Sequence, residues 1–310
     1  MSLLTLGRRR PRRRAPSPLS RTNISDADRA RPSVRLSLAV GHVLVLAALV
    51  IAGLGPIVWL ALAAVSPTQD LIRGPFSFFS SGVVQWENLG IAWERGRIGH
   101  YLTNTAILAA GSVVTTLLVS TTAAFVITVL RPRWGKVLSG AILATLFIPG
   151  IVSLVPLYLT VRELPVLGFS LIDTWWAVWL PAGATAFNVL IISRFLEAIP
   201  ADLYEAARID GAGPLRILWS IVLPLARPIL GVVGLLTVVA SWKDYLWPLL
   251  VLPTPDNQPV SVALPRLADQ TELSVQMAAL FLSLIIPVAL FLIFQRQFLR
   301  GASMAGGVKG

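Results

Sequence analysis

One pair of ionisable residues lies where such residues are rare. Lys243 and Asp244 follow a long apolar run in a chain of 310 residues, of which only 13% are charged. Charged groups within a membrane span are costly and usually face a cavity or a partner group. Neighbouring helical residues point about 100° apart, so these two do not face each other. The pair could line a solute path, or it could bind a partner subunit or lie at the outer interface. Asn188 leaves a similar choice between contacting solute and bonding across helices.

The other residue types leave little room for catalysis or metal binding. The chain has no cysteine, and its two histidines, His42 and His100, have no metal-ligand residues grouped with them. None of the three lysines stands in the Gly-Lys-Ser/Thr pattern of a phosphate-binding loop. We therefore expect no catalytic residue, no metal site and no nucleotide site in this chain.

The segment 199–224 combines helix signals with small residues. Asp202 is predicted to cap a first short helix, with Glu205 three residues later as its capping-box partner. Gly211 would end that helix, because glycine takes the left-handed conformation without a Cβ penalty. Pro214 suits the first turn of a second helix. Local pattern alone leaves two interpretations open, a docking knob for another protein and an interfacial connector.

Long apolar stretches must position these residues, and they predict an all-α polytopic membrane protein. Hydrophobic residues make up 55% of the chain, and the charged share is half of the ~25% that soluble domains carry. A bilayer core needs about 20 apolar helical residues. Stretches of that length occur at 36–65, 103–130, 136–160, 172–195, 226–252 and 277–296. Prolines in the third and fourth stretches mark places where these helices would kink.

Basic residues indicate an orientation and a separate N-terminal tail. Ten arginines precede Leu36, so residues 1–35 are predicted to be a disordered cytoplasmic tail. Because an apolar helix follows directly, attraction to anionic membrane lipid is favoured over nucleic-acid binding. With the N-terminus inside, 20 of the 26 basic residues fall on the cytoplasmic side and five outside. We therefore predict a multi-pass protein of the cell membrane with both termini in the cytoplasm.

Three tryptophans cluster where the fourth span would enter from outside. They are Trp175, Trp176 and Trp179. Sugars stack well on aromatic faces, but this is also the level at which interfacial tryptophans belong. We interpret the cluster as part of the interfacial aromatic belt.

The loop 199–224 resembles the EAA loop of ABC importer permeases. The resemblance is carried at the family's spacing by Glu205-Ala206-Ala207, Asp210-Gly211-Ala212, Ile221, Leu223-Pro224 and Pro228. The segment 242–248 is similar to one common in the carbohydrate-uptake branch of these permeases. The ending 306–310 is similar to that of the second, maltose-type permease of sugar transporters. Lys243-Asp244 is a departure, because a less charged pair is more usual there.

The resemblance implies a transmembrane domain of the type I ABC importer fold over residues 36–310. It implies an ABC ATPase dimer, a second permease subunit and an extracytoplasmic solute-binding protein as partners. ATP would bind to the ATPase, and this chain would need no cofactor. The loop would be the coupling helix seated on the ATPase, with Glu205, Ala206, Ala207, Asp210, Gly211, Ala212, Leu223 and Pro224 as its coupling residues. Alternating access would then carry a carbohydrate into the cell, with Asn188, Lys243 and Asp244 on the possible solute path.

A stand-alone secondary transporter that uses Lys243 and Asp244 is the alternative. Such a carrier is expected to show internal repeats and ionisable residues at several midplane positions. The sequence shows no clear repeat and a single charged dipeptide within its spans. The resemblance therefore favours the importer subunit. A disaccharide, an oligosaccharide and a glycerol phosphodiester all remain open as the solute.

Overall fold

The regular secondary structure in the part that the structure describes is all helical. A computed structural model describes residues 32–306, with side chains for 32–290, 292 and 293. The chain divides into two units at Pro56 and Ile57, and every contact below lies in the second. The α-helices are α1 Pro32–Ala64, α2 Thr68–Arg73, α3 Glu87–Glu94, α4 Ile98–Phe125, α5 Gly135–Thr145, α6 Gly150–Arg162, α7 Trp176–Gly183, α8 Ala186–Glu197, α9 Ala201–Ile209, α10 Pro214–Ile217, α11 Leu223–Lys243, α12 Leu246–Val251, α13 Val260–Ala268 and α14 Leu273–Gly306.

The predicted tail falls mostly outside the described residues. Helix α1 begins at Pro32, four residues before the predicted start of the first span. Residues 1–31 and 307–310 are not described, so the disordered tail and the family-like ending stay predictions.

The number of membrane spans agrees with the sequence when bent helices are counted together. Four continuous helices are long and apolar enough to cross a membrane: Pro32–Ala64, Ile98–Leu130, Pro214–Lys243 and Leu273–Leu290. Two further spans arise if α5 with α6, and α7 with α8, each count as one. The six predicted stretches therefore correspond to four straight helices and two bent pairs.

Proline explains why these two pairs are bent. Helices α5 and α6 meet at 110°, and Pro149 stands just before the first residue of α6. Proline has no N–H to donate and disfavours helical geometry in the residue before it. Helices α7 and α8 differ by 43°, with Pro181 inside α7 shortly before the break. The sequence predicts kinks in these spans, but their angles come from the structure.

The fifth predicted span is corrected by the structure. It was placed at 226–252, but the helix starts at Pro214, includes a π-helical turn at Leu218–Val222, and ends at Lys243. Proline at position 248 cannot donate to the carbonyl of Asp244 and would collide with it in a continuous helix. That carbonyl instead accepts a hydrogen bond of 2.6 Å from the Ser261 hydroxyl. The chain therefore breaks after Lys243 and resumes as the short helix α12.

Helix α4 lies at the centre of the packing. It contacts α7, α8 and α11 along its length and continues as a π-helical turn at Val126–Leu130. Small residues permit the close approach, as expected between membrane helices. A Cβ at Gly111 would overlap the indole ring of Trp179, and one at Gly183 would lie 3.2 Å from the Thr115 carbonyl oxygen. Glycine at these positions lets α7 lie directly against α4.

A buried carboxylate organises the segment after α1. The Asp70 side chain accepts hydrogen bonds from the Ser81 hydroxyl at 2.7 Å and from the Ser81 backbone N–H at 3.0 Å. Arg73 lies 3.6 Å away. These hydrogen bonds, the hydroxyl first, lower the pKa of Asp70 below its usual value, because they favour the ionised form. The carboxylate thus ties α2 to the loop that follows it.

Candidate functional site

Asn188, Lys243 and Asp244 line one cavity. Its volume is about 670 Å³, within the range of sites for small molecules. Helix α4 supplies one wall, the bent pair α7–α8 a second, and the C-terminal end of α11 a third. The sequence proposed these three residues separately as candidates for a solute path, and the fold brings them together.

Several polar groups of this cavity have no hydrogen-bond partner in the described part of the chain. The Ser112 hydroxyl is buried and unpaired. The side chains of Asn188, which is 8% exposed, and of Lys243 make no hydrogen bond or ion pair to the described residues. Buried polar groups such as those of Ser112 and Asn188 are normally satisfied by a protein group, water or ligand, whereas Lys243 is exposed in this chain. The cavity therefore offers a hydroxyl, an amide and an ammonium group to a polar molecule.

Asp244 differs from Lys243 because the fold uses it. Its backbone carbonyl accepts a hydrogen bond from the Ser261 hydroxyl, and its carboxylate lies close to the backbone N–H of Trp247. Asp244 takes an extended conformation, with ψ 116°, at the break between α11 and α12. The aspartate thus stabilises the start of α12 while it also faces the cavity.

Sequence reasoning missed part of this cavity wall. Ser112 and Thr116 of α4, Thr237 of α11 and Trp247 of α12 also line it. The polar residues recur at positions four apart in α4, which is the signal for a polar stripe on one helix face. Trp247 is buried and donates to the Ala177 carbonyl at 3.0 Å, so its ring is held in place.

The three tryptophans interpreted as belt residues do not line this cavity. Trp176 is exposed, as a belt residue would be. Trp179 instead lies against Gly111 and donates a hydrogen bond of 3.2 Å to the Leu108 carbonyl. Its interaction is with helix α4, and it contributes to helix packing.

The loop 199–224 contains a short helix that ends in a defined cap. Gly211 has φ +78°, so the predicted left-handed glycine is confirmed. The N–H of Gly211 donates to the Arg208 carbonyl at 3.0 Å, and the N–H of Ala212 to the Ala207 carbonyl at 2.9 Å. This pair of bonds is the Schellman motif, which satisfies the last carbonyls of a helix. The direction in which the chain leaves α9 is thereby fixed.

The predicted capping box at the other end of this helix is wrong. Pro200 occupies the cap position, and neither Asp202 nor another side chain makes a capping hydrogen bond. Pro200 takes ψ 129°, so the helix starts at Ala201 and Asp202 already lies in its first turn. There its charge acts only through the helix dipole. Pro214 begins α10 as predicted, but α10 runs on through the π-helical turn into α11.

One aromatic residue and one arginine attach α9 to the rest of the protein. Tyr204 is 7% exposed and belongs to a buried cluster that includes Val129, Leu196 and Ile217. Its hydroxyl has no hydrogen-bond partner among the residues that the structure describes, and burial raises the pKa of Tyr204. The Arg208 guanidinium donates to the Val129 carbonyl at 2.8 Å. Sequence reasoning missed both anchors, although Tyr204 is the only aromatic residue in α9.

The predicted coupling residues divide between two faces. Glu205, Ala206, Asp210, Gly211 and Pro224 are exposed, whereas Ala207, Ala212 and Leu223 are half-buried and pack on the cluster around Tyr204. That cluster also contains residues of α4, α8 and α11, three helices that line the cavity with other residues along their length. A displacement of α9 would therefore act on the same helices that form the cavity wall.

Comparison with known proteins identifies the family and the relatives that this chain resembles. The profile of the family "Binding-protein-dependent transport system inner membrane component" matches residues 116–303. The glycerol-3-phosphate transport permease UgpE of Agrobacterium fabrum is 28% identical over 87% of this chain and 96% of its own length. The probable ABC transporter permease YurM of Bacillus subtilis is 30% identical over 82% of this chain and 83% of its own.

Solved structures show the same fold. A bacterial ABC transporter that imports the acidic polysaccharide alginate has a chain that matches with a TM-score of 0.73 and 24% identity, covering 86% of this chain and 98% of that one. The same kind of transporter in complex with an alginate-bound periplasmic protein matches with a TM-score of 0.61 and 14% identity. The family profile covers more than half of the sequence and includes the loop 199–224 as well as Asn188, Lys243 and Asp244. The chain therefore belongs to the binding-protein-dependent inner membrane components, the permease subunits of ABC importers.

Proposed function

We propose that this permease passes a carbohydrate through the cavity lined by Asn188, Lys243 and Asp244, driven by ATP hydrolysis on a separate ATPase. The observation that carries the proposal is the buried cluster around Tyr204, which links the loop 199–224 to helices of the cavity wall. The related UgpE proteins are named for sn-glycerol-3-phosphate, and the structural relative imports alginate. Polyhydroxylated solutes of this kind suit a cavity with unpaired hydroxyl and amide groups.

The surface of α9 and α10 has the character of a docking site for the ATPase. Ile209, Leu215 and Trp219 are 86%, 72% and 69% exposed, although they flank a polar loop. Exposed apolar residues grouped with polar ones are typical of protein interaction sites. Glu205 and Gly211 lie exposed on the same segment. We propose that the coupling residues contact an ATPase cleft here, with roles in positioning and none in catalysis.

The orientation follows from this assignment. If the loop 199–224 faces a cytosolic ATPase, both chain termini lie in the cytoplasm, as the basic residues also indicate. The Arg-rich segment 1–35 would then lie beside the anionic inner leaflet. A second permease would complete the translocation path, and an extracytoplasmic binding protein would deliver the solute. ATP would bind only to the ATPase, and this chain would need no cofactor.

Purification of the tagged chain from its native membrane in mild detergent tests the proposal. We expect a P-loop ATPase and a second permease to co-purify, as identified by mass spectrometry. Glu205→Lys should release the ATPase, because it reverses a charge on the proposed docking surface. Glu163→Lys is the matched control, since Glu163 is also exposed but follows α6. A chain that purifies alone and transports in vesicles without ATP would contradict the assignment.

A further inference from the structure

Lys243 is a charged group for which the fold provides no counter-ion. It lies at the last residue of α11 and lines the 670 Å³ cavity. In the described part of the chain, no carboxylate comes within 4 Å of its ammonium group and no hydrogen bond reaches it. Lys243 is exposed in this chain and also lines a second cavity beside α14, but an ammonium group at membrane depth is costly unless it is paired or serves a function. The missing partner is the feature to be explained.

The adjacent aspartate does not supply that partner. The Asp244 carboxylate forms no ion pair with Lys243 in the described part of the chain, and the backbone turns away from the helix at this residue. Lys243 and Asp244 therefore face the same cavity as separate groups, one a cation and the other an acceptor. The Ser112 hydroxyl and the Asn188 amide add neutral groups to the same wall. Together they would suit a molecule that carries both an anionic group and several hydroxyl groups.

We propose that Lys243 is a specificity-determining residue that pairs with an anionic group, a carboxylate or a phosphate, on a polyhydroxylated solute. The solute is thus an acidic sugar or a phosphorylated polyol, with hydroxyl groups that donate to Asp244 and bond to Asn188 and Ser112. This inference rests on the proposed function, because it requires that the cavity is the solute path. It adds the charge of the solute, which the loop and the fold leave open.

Uptake by the complete importer in proteoliposomes tests the inference. The probes are matched neutral and anionic pairs: glucose with glucuronate, glycerol with sn-glycerol 3-phosphate, and a neutral disaccharide with a uronate disaccharide. We expect ATP-dependent uptake of at least one anionic member. Lys243→Gln should lower that uptake about 10-fold or more, as expected for the loss of a hydrogen bond between charged groups. Lys243→Arg, which keeps the charge, should retain most of it. The carboxylate and phosphate probes distinguish the two kinds of anion.

A second lysine provides the matched control. Lys136 is exposed and lies in α5, outside the cavity. Lys136→Gln makes the same chemical change as Lys243→Gln, and it should leave uptake unchanged. Co-purification of the ATPase with Lys243→Gln would show that this variant folds and assembles. The inference is overturned if only neutral members or no members are transported, or if Lys243→Gln and Lys136→Gln behave alike. The proposed function fails by a different result, namely a chain that purifies without an ATPase.

Discussion

Replacement of Gly211 by valine is the sharpest perturbation of the coupling loop. Gly211 has φ +78°, and nothing lies within 4 Å of the position that its Cβ would take. A side chain there would meet no steric obstacle inside the protein, so the cost is confined to the backbone. A left-handed residue other than glycine costs about 1–2 kcal/mol, and β-branching adds to this. A difference of about 2 kcal/mol changes a conformational equilibrium roughly 30-fold.

The physical consequence is a loss of the cap that ends α9. The hydrogen bonds to the Ala207 and Arg208 carbonyls depend on the left-handed residue. We expect Gly211→Val to lower ATP-dependent uptake in proteoliposomes about 10-fold or more at unchanged expression, because α9 and α10 would no longer meet at a fixed angle. Gly211→Asn is the matched control, since asparagine is close to valine in size but tolerates the left-handed conformation. It should keep most of the uptake.

Two results would refute this reasoning. Uptake by Gly211→Val at the wild-type rate would show that the cap is not needed for coupling. Equal losses for the valine and asparagine variants would show that any side chain interferes with the docked partner, and that the backbone conformation is not the cause. Expression in the membrane must be measured for each variant by quantitative immunoblotting.

Three further predictions follow from the packing and the loops. Tyr204→Phe should retain uptake because the hydroxyl has no partner, whereas Tyr204→Ala should lose about 3–5 kcal/mol of packing and most of the uptake in the same assay. Gly111→Leu should lower the thermal unfolding temperature in detergent because its side chain would displace Trp179, whereas Gly140→Leu, with open space around its Cβ, should not. Protease resistance of residues 68–81 should persist above pH ~4 and be lost as the pH falls through the lowered pKa of Asp70, because protonation removes the negative charge that strengthens the hydrogen bonds from Ser81. Asp70→Asn should abolish that pH dependence, and an unchanged profile would contradict the role of Asp70.

Much of the architecture could be predicted because the bilayer imposes strong rules on sequence. Stretches of about 20 apolar residues locate helices, since backbone groups in lipid must bond within their own segment. Gly211 and Pro214 indicate the turn in the loop, because glycine takes the left-handed conformation without a penalty and proline fixes φ at a value that suits the first turn of a helix. The start of α9 was predicted wrongly, since Pro200 competes with Asp202 for the cap position and local pattern does not rank them.

Other features depend on contacts between residues far apart in sequence. The end of the fifth span at Lys243 depends on Ser261 and Pro248. The Ser261 hydroxyl donates a hydrogen bond to the Asp244 carbonyl, whereas Pro248 has no N–H with which to do so. Tyr204 could not be identified as an anchor from α9 alone, because its neighbours in the cluster come from α4, α8 and α10. The angle of 110° between α5 and α6 likewise cannot be predicted from the sequence.

The sequence by itself determined that the protein lies in a lipid bilayer, the class of its fold and the loop that identifies its family. These properties depend on composition and on residues close together in the chain. Only the tertiary structure decided that Asn188, Lys243 and Asp244 share a cavity with Ser112, and that Lys243 has no partner among the described residues while the Asp244 carbonyl pairs with Ser261. The reason is that a cavity is defined by helices that are distant in sequence, and its chemistry depends on which polar groups those helices leave unpaired.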